Sequence, residues 1–212
     1  MHYLNDDFES QPNKMETSNK SIKPPRHNTL SIIALIMAII QAPLFYYYTT
    51  GLLSIFQIGF YLIVGLGFTI YLFSLLIKKE GTPLTKAFKY RLWVTFFIGA
   101  ISFFYGPMFM EKADWTLRRS SREEIIMKIK KGEIRDSKLD GWNFPPISNG
   151  GNEIEISKRK KGLLTVMFYI DRGFIDHCSA FVYTNDANEL KDIKSWYSSV
   201  EQLDKNWYRV SK

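Results

Sequence analysis

A chain of 212 residues has room for one or two domains, and its net charge of +7 and mean hydropathy of −0.14 would suit a soluble basic protein. The charge is placed otherwise: Lys and Arg crowd beside apolar runs without forming a recognition module, so no nucleic-acid partner is expected. A single cysteine, Cys178, excludes an intrachain disulfide framework and a multi-cysteine metal knuckle.

Residues 1–28 mix Asp6, Asp7, Glu9 and Glu16 with Lys14, Lys20, Lys23 and Arg26 around Pro12 and Pro24-Pro25. Such a composition buries too little apolar surface to offset ordering entropy, so a disordered polar tail is expected. From Asn28 to Ile77 there is no Asp, Glu, Lys or Arg. One helix of that length would measure roughly 75 Å against a hydrocarbon core of about 30 Å. Thr49-Thr50-Gly51 divides the run into spans over 30–48 and 52–77. The alternative, a signal peptide cleaved after Ala42, fits poorly because the apolar character continues to Ile77. Ala34, Ala38 and Ala42 make a small-residue stripe for close helix approach, and Tyr46-Tyr47-Tyr48 suits an interfacial aromatic belt. Gln41 and Gln57 are expected to hydrogen-bond between helices rather than to line a transport path.

Residues 78–91 carry Lys78, Lys79, Lys86, Lys89 and Arg91 against one acid, Glu80. Thr82-Pro83 can start a helix whose Leu84, Phe88 and Arg91 share a face. This connector is expected either to face anionic lipid headgroups or simply to set topology as a positive loop. A third span covers 92–110, where Thr95, Gly99, Ser102 and Gly106 form a small seam to meet the alanine stripe. Gly106-Pro107 is expected to kink the helix or mark its exit from the bilayer. Three spans completing a transmembrane domain over 29–110 put the N-terminus and connector in the cytoplasm and the C-terminal domain outside. Lys112, Arg118 and Arg119 count against that sense, and a third segment buried in protein would reverse it.

Residues 111–212 suffice for a small α+β domain with about four antiparallel strands. Ser121-Arg-Glu-Glu124 is a capping-box pattern opening a helix with Ile125, Ile126 and Ile129 inward, up to Gly132. Strands are expected over 152–158, 162–170 and 178–184, with a basic hairpin turn over 157–162. A helix capped by Asn185 or Asp186 then runs from Ala187 to Leu203, and a closing strand covers 207–210.

Several short words stand out in this half. They are Glu111-Lys-Ala-Asp-Trp115, Ser121-Arg-Glu-Glu124, Gly150-Gly151, Arg172-Gly173-Phe-Ile-Asp176, Phe181-Val-Tyr183 and Leu203-Asp-Lys-Asn-Trp-Tyr208. Over about residues 110–211 they resemble an uncharacterised family of bacterial multi-pass membrane proteins with a small C-terminal α+β domain. The resemblance implies a bacterial inner-membrane setting and carries over no activity.

Asp171, Arg172, Asp176, His177 and Cys178 are the one concentration of reactive side chains. Neighbours in extended chain point to opposite faces, so His177 and Cys178 do not make a nucleophile pair or share a metal. An Arg172–Asp176 ion pair across a turn at Gly173 is the structural expectation; a weak anion or partner site using Arg172, Asp176, Trp207 and Tyr208 is the functional one. No catalytic residue, metal or cofactor is indicated, and no phosphate-binding, zinc-protease or nucleophile-elbow motif occurs. The expected function is a non-enzymatic accessory or binding protein, seated in the lipid bilayer, that meets a protein partner or another copy of itself. The alternative is a subunit of an oligomeric membrane enzyme or transporter. A surface patch of Trp196, Tyr197, Trp207 and Tyr208 would favour the former; their burial, with a polar cleft at Arg172, the latter.

Overall fold

The structure is a computed structural model that describes residues 26–48, 52–77, 85–139, 145–159, 162–172 and 177–212. The expected tail before residue 26, the Thr49–Gly51 break, the helix start at Thr82-Pro83, Lys78, Lys79, residues 160 and 161 of the basic hairpin turn, and Asp176 lie outside these residues. Helices α1 (Arg26–Tyr48), α2 (Leu52–Ile77) and α3 (Lys86–Lys131) come first. Then follow strands β1 (Ile154–Lys158), β2 (Leu164–Asp171) and β3 (Ser179–Thr184), helix α4 (Ala187–Trp196), and strands β4 (Ser199–Asp204) and β5 (Trp207–Ser211).

Two elements correct the sequence expectation. The third apolar span and the capped helix after it are one element: α3 is 46 residues, about 69 Å, long. Ser121 therefore caps nothing. A capping pattern acts only where the preceding backbone leaves the helix, and residues 111–120 hold no Gly or Pro. They are bridged instead by Thr116 donating to the Lys112 carbonyl and by the Asp114–Arg118 pair. The start is capped by Thr85, which accepts from the Phe88 N–H at 3.2 Å, and the end by Gly132 at φ +81°. Pro107 removes one rung of the hydrogen-bond ladder without ending the helix. The basic connector is thus partly helix, with Phe88 turned inward and buried beside Leu92, Ala34 and Phe68.

The second correction is in the sheet. The expected 187–203 helix stops at Trp196, because Tyr197 turns extended (φ −103°, ψ +138°) and Ser199–Asp204 pairs antiparallel with β5. Asn206 at φ +65° closes that hairpin. Five strands result, all antiparallel, in the order β1-β2-β3-β5-β4.

Alternation sorts the sheet into two faces. Val166, Phe168, Ile170, Phe181, Tyr183 and Trp207 pack on Ile126 and Ile129 of α3, as the isoleucine stripe foretold. Met167, Ala180, Val182 and Val210 face Ile193 of α4. Asp186, one of the two expected caps, accepts from the N–H groups of Asn188 and Glu189.

The apolar helices have a readable course. Arg91 donates to Ser31, Gly99 lies against Ala38, Gly106 against Ala42, and Asp114 meets Tyr46. Both numbers rise together, so α1 and α3 run parallel, joined along the alanine stripe and the small seam. The rings of Tyr61 and Phe45 sit 4.9 Å apart and those of Phe73 and Trp93 5.3 Å, which runs α2 the opposite way. Two helices, Asn28–Tyr48 and α3, are long and apolar enough to cross a membrane; the middle one contributes a shorter apolar segment, Ile55–Tyr71.

Candidate functional site

The most concentrated polar chemistry in the fold was not singled out by motif. It lies where the apolar helices meet the sheet. Asp114, about one turn past the expected end of the third span, is 3 % exposed, and Arg122, about two turns further along the same face, is 2 % exposed. Arg122 donates to Asp114 Oδ2 through Nη2, and Arg118 donates to Oδ1 at 3.1 Å through Nη1. The hydroxyls of Tyr46 and Tyr47 donate to the same carboxylate, to Oδ2 at 3.2 Å and Oδ1 at 3.1 Å. Each carboxylate oxygen thus has two donors, one of them cationic, the condition under which a buried charge is tolerated.

The loop before β1 closes this cluster from the sheet side. Arg118 also reaches the carbonyls of Pro145 and Pro146 at 2.6 Å each, and Arg122 reaches that of Ile147 at 3.3 Å. The Arg122 guanidinium lies 4.6 Å from the Phe181 ring centre, so its flat face is spent on an aromatic as well. Asn149 donates to the Tyr46 carbonyl at 2.6 Å and the Ile170 carbonyl at 2.7 Å, satisfying a helix-end oxygen and a strand oxygen at once. Gly150 (φ +86°) and Gly151 (φ +101°) turn the chain directly after it, in a region where a side chain would be strained. One carboxylate therefore ties α1, α3 and the sheet together. The aromatic-belt role expected of Tyr46 and Tyr47 is corrected accordingly: both rings are buried and both hydroxyls are spent on Asp114, whereas Tyr48 is exposed.

The residues chosen from sequence are not brought together. Trp207 is buried at 2 % exposure among Trp115, Phe168, Phe181 and Tyr183, so it is core rather than surface. Tyr208 points to the opposite face of the sheet, beside α4. Trp196 is exposed, so the four aromatics make neither a common patch nor a common core. Arg172 is half-buried, pairs with Glu153 and lies 4.2 Å from the Tyr169 ring centre; its expected partner Asp176 is outside the described residues. His177 and Cys178 do not meet: His177 Nδ1 faces the Lys212 carbonyl at 3.2 Å, while Cys178 lies towards Tyr197 and Asp171. Burial, then the nearby Asp171 carboxylate, pushes the Cys178 thiol above its ordinary range, opposite to what a nucleophile needs. Burial also pushes the Tyr197 hydroxyl up to about 12. Among the described residues no three His, Cys, Asp or Glu side chains gather as a metal site.

On the connector, Lys86 and Lys89 are exposed at the start of α3, and Arg91 donates to Ser31 at 3.1 Å. Further along α3, Glu111 pairs with Arg209 at 2.7 Å, and Arg119 with both Glu123 and Asp204. The signal that could have found the buried cluster is the column Asp114, Arg118, Arg122, spaced four and four on one helix. No protein-family profile, curated protein or solved structure matches the chain.

Proposed function

We propose that this is a multi-pass membrane protein of non-enzymatic, accessory or binding character, acting through an α+β domain held rigidly at the end of three transmembrane helices. The carrying observation is the outward display of apolar side chains. Ile36, Ile63, Leu66 and Phe104 are 49 %, 76 %, 62 % and 73 % exposed, and similar residues ring α1, α2 and α3. An uncovered apolar surface of that extent suits lipid and would aggregate in water.

The parallel course of α1 and α3 supports a return crossing by α2, whose 26 residues reach about 39 Å. Lys86, Lys89 and Arg91 then mark the cytoplasmic end of a bacterial inner-membrane protein, and the sheet lies at the other, extracytoplasmic end. Of Lys112, Arg118 and Arg119, which argued against that sense in the sequence, Arg118 and Arg119 pair with Asp114, Glu123 and Asp204 within a domain of about a hundred residues, where the rule is weaker, and Lys112 still counts against it. The accessory role draws support from the Asp114 cluster: apart from the buried Arg122 Nε, its side-chain donors and acceptors join the domain to the helices, as a mount rather than a reaction centre. The partner is a protein or a second copy of this chain.

Two measurements test this. After alkaline carbonate extraction the chain should remain in the membrane pellet; release into the supernatant overturns the anchor. A photo-crosslinker at Trp196 in native membranes should give one discrete protein adduct, suppressed by excess unlabelled chain. Adducts with lipid alone, or none, overturn the accessory role.

A further inference from the structure

The three apolar helices do not close on one another. Between them is a cavity of about 320 Å³, walled by Ala38, Gly65, Phe68, Gly99 and Phe103 among others. Four of its lining side chains are polar enough to sort its use. Thr69 and Thr95 donate back to their own helices, to the carbonyls of Gly65 and Arg91. Gln41 and Tyr61 do not: among the described residues neither side chain makes a hydrogen bond, although Gln41 is 9 % exposed and both face the cavity. The sequence expectation that Gln41 bonds between these helices is therefore not met. An amide without partners on the apolar wall of a cleft that opens towards lipid costs free energy, so a partner from outside the chain is indicated.

Gln41 lines the cavity together with Tyr61 and Phe103, which pack on Phe45 one turn further along α1. Phe45 links those two, 4.9 Å from the Tyr61 ring and 6.5 Å from that of Phe103. On the axis of α1 Gln41 is seven residues, about 10 Å, below Tyr48. The occupant must therefore bring acceptor oxygens below the interface, carry no charge, and offer a flat face to rings. A plain lipid acyl chain would fit the space and leave both polar groups unanswered.

The geometry points to a neutral isoprenoid-quinone-class ligand in this cavity, its ring oxygens accepting from the Gln41 amide and the Tyr61 hydroxyl. The ring lies among Tyr61 and Phe103, and the apolar tail runs past Gly65 and Phe68 towards Phe73. Binding alone is assigned; no electron transfer is implied. The inference rests on the membrane reading above, which carbonate extraction tests by itself.

The test uses the full chain in phospholipid nanodiscs with an azido-ubiquinone probe bearing a ten-carbon tail. Saturable binding at one probe per chain is expected, with light-induced adducts confined to α1, α2 and α3. Gln41→Leu should weaken binding about tenfold, the loss of one well-placed hydrogen bond. A Cβ at Gly65 would meet nothing within 4 Å, so Gly65→Leu fills the cavity without displacing backbone and should abolish saturable binding. Unchanged helix content and melting by circular dichroism establish that both variants fold. If either fails to fold, the adduct map of the unaltered chain decides. Uptake no greater than that of empty nanodiscs, adducts outside the three helices, or equal binding by the unaltered chain and both folded variants overturns the assignment.

Discussion

Asp114 shows how much one side chain can organise. It is a single buried negative charge set among two arginines and two tyrosine hydroxyls drawn from helices 68 residues apart. Breaking a buried pair on one side is far costlier than never building it, because the remaining charge stays in the interior. Asp114→Asn keeps the shape and strands Arg122, and should lower stability by about 3–5 kcal/mol. Tyr46→Phe removes only a neutral donor and should cost about 1 kcal/mol. Thermal unfolding in detergent should rank the two in that order; equal shifts would mean the carboxylate is not what holds Arg122. Half of this cluster was legible. The 114, 118, 122 column is a local helical spacing, but its tyrosine partners are fixed by tertiary geometry that no local pattern carries. Cys178 gives a second test. Burial raises its folded pKa, so the unfolded chain loses the thiol proton first. Stability should be unaffected below about pH 8.5 and fall as pH rises through the window up to the folded value. Cys178→Ser should flatten that decline in urea titrations repeated between pH 7 and 10.

At the level of elements, the sequence was clearest where a pattern is local and one-sided. The alanine stripe and the small seam meet as expected, yet their contacts differ in tightness. A Cβ built at Gly99 would sit 3.7 Å from that of Ala38, an ordinary contact, whereas one at Gly106 would fall 2.6 Å from that of Ala42. Gly99→Ala should therefore be near neutral, and Gly106→Ala should separate α1 from α3 at a cost of about 1–3 kcal/mol, the range for overpacking. Melting of the two variants in the same detergent checks this; matching values would remove the close approach at Gly106. Boundaries were less legible, for opposite reasons at the two errors. The capping pattern at Ser121 was real but outweighed by a continuous helix already under way. Val200 and Leu203 fit a helical face, but pairing along β5 offered Ser199–Asp204 backbone partners that an added helical turn could not match.

For the whole molecule, the decisive relation is that two helices point the same way. A chain can place α1 and α3 side by side and parallel only by returning to its starting end between them, and the 26 residues of α2 make that return. Fifty charge-free positions had suggested the return; the course of the ring contacts makes it specific. With the basic residues of early α3 at one end and the Asp114 mount at the other, the domain must face the side opposite Lys86 and Lys89 if all three helices cross. If α2 lay along the surface instead, α1 and α3 could not both cross in parallel without another returning segment. Ser120 is exposed on the domain side of α3 and stands clear of its ion pairs, which makes it a fair reporter. In a Cys178→Ser background, Ser120→Cys should react with a membrane-impermeant maleimide in intact cells, and Lys89→Cys only after permeabilisation. The reverse labelling would invert the orientation while keeping three crossings, and labelling of both sites from outside would remove the return crossing itself.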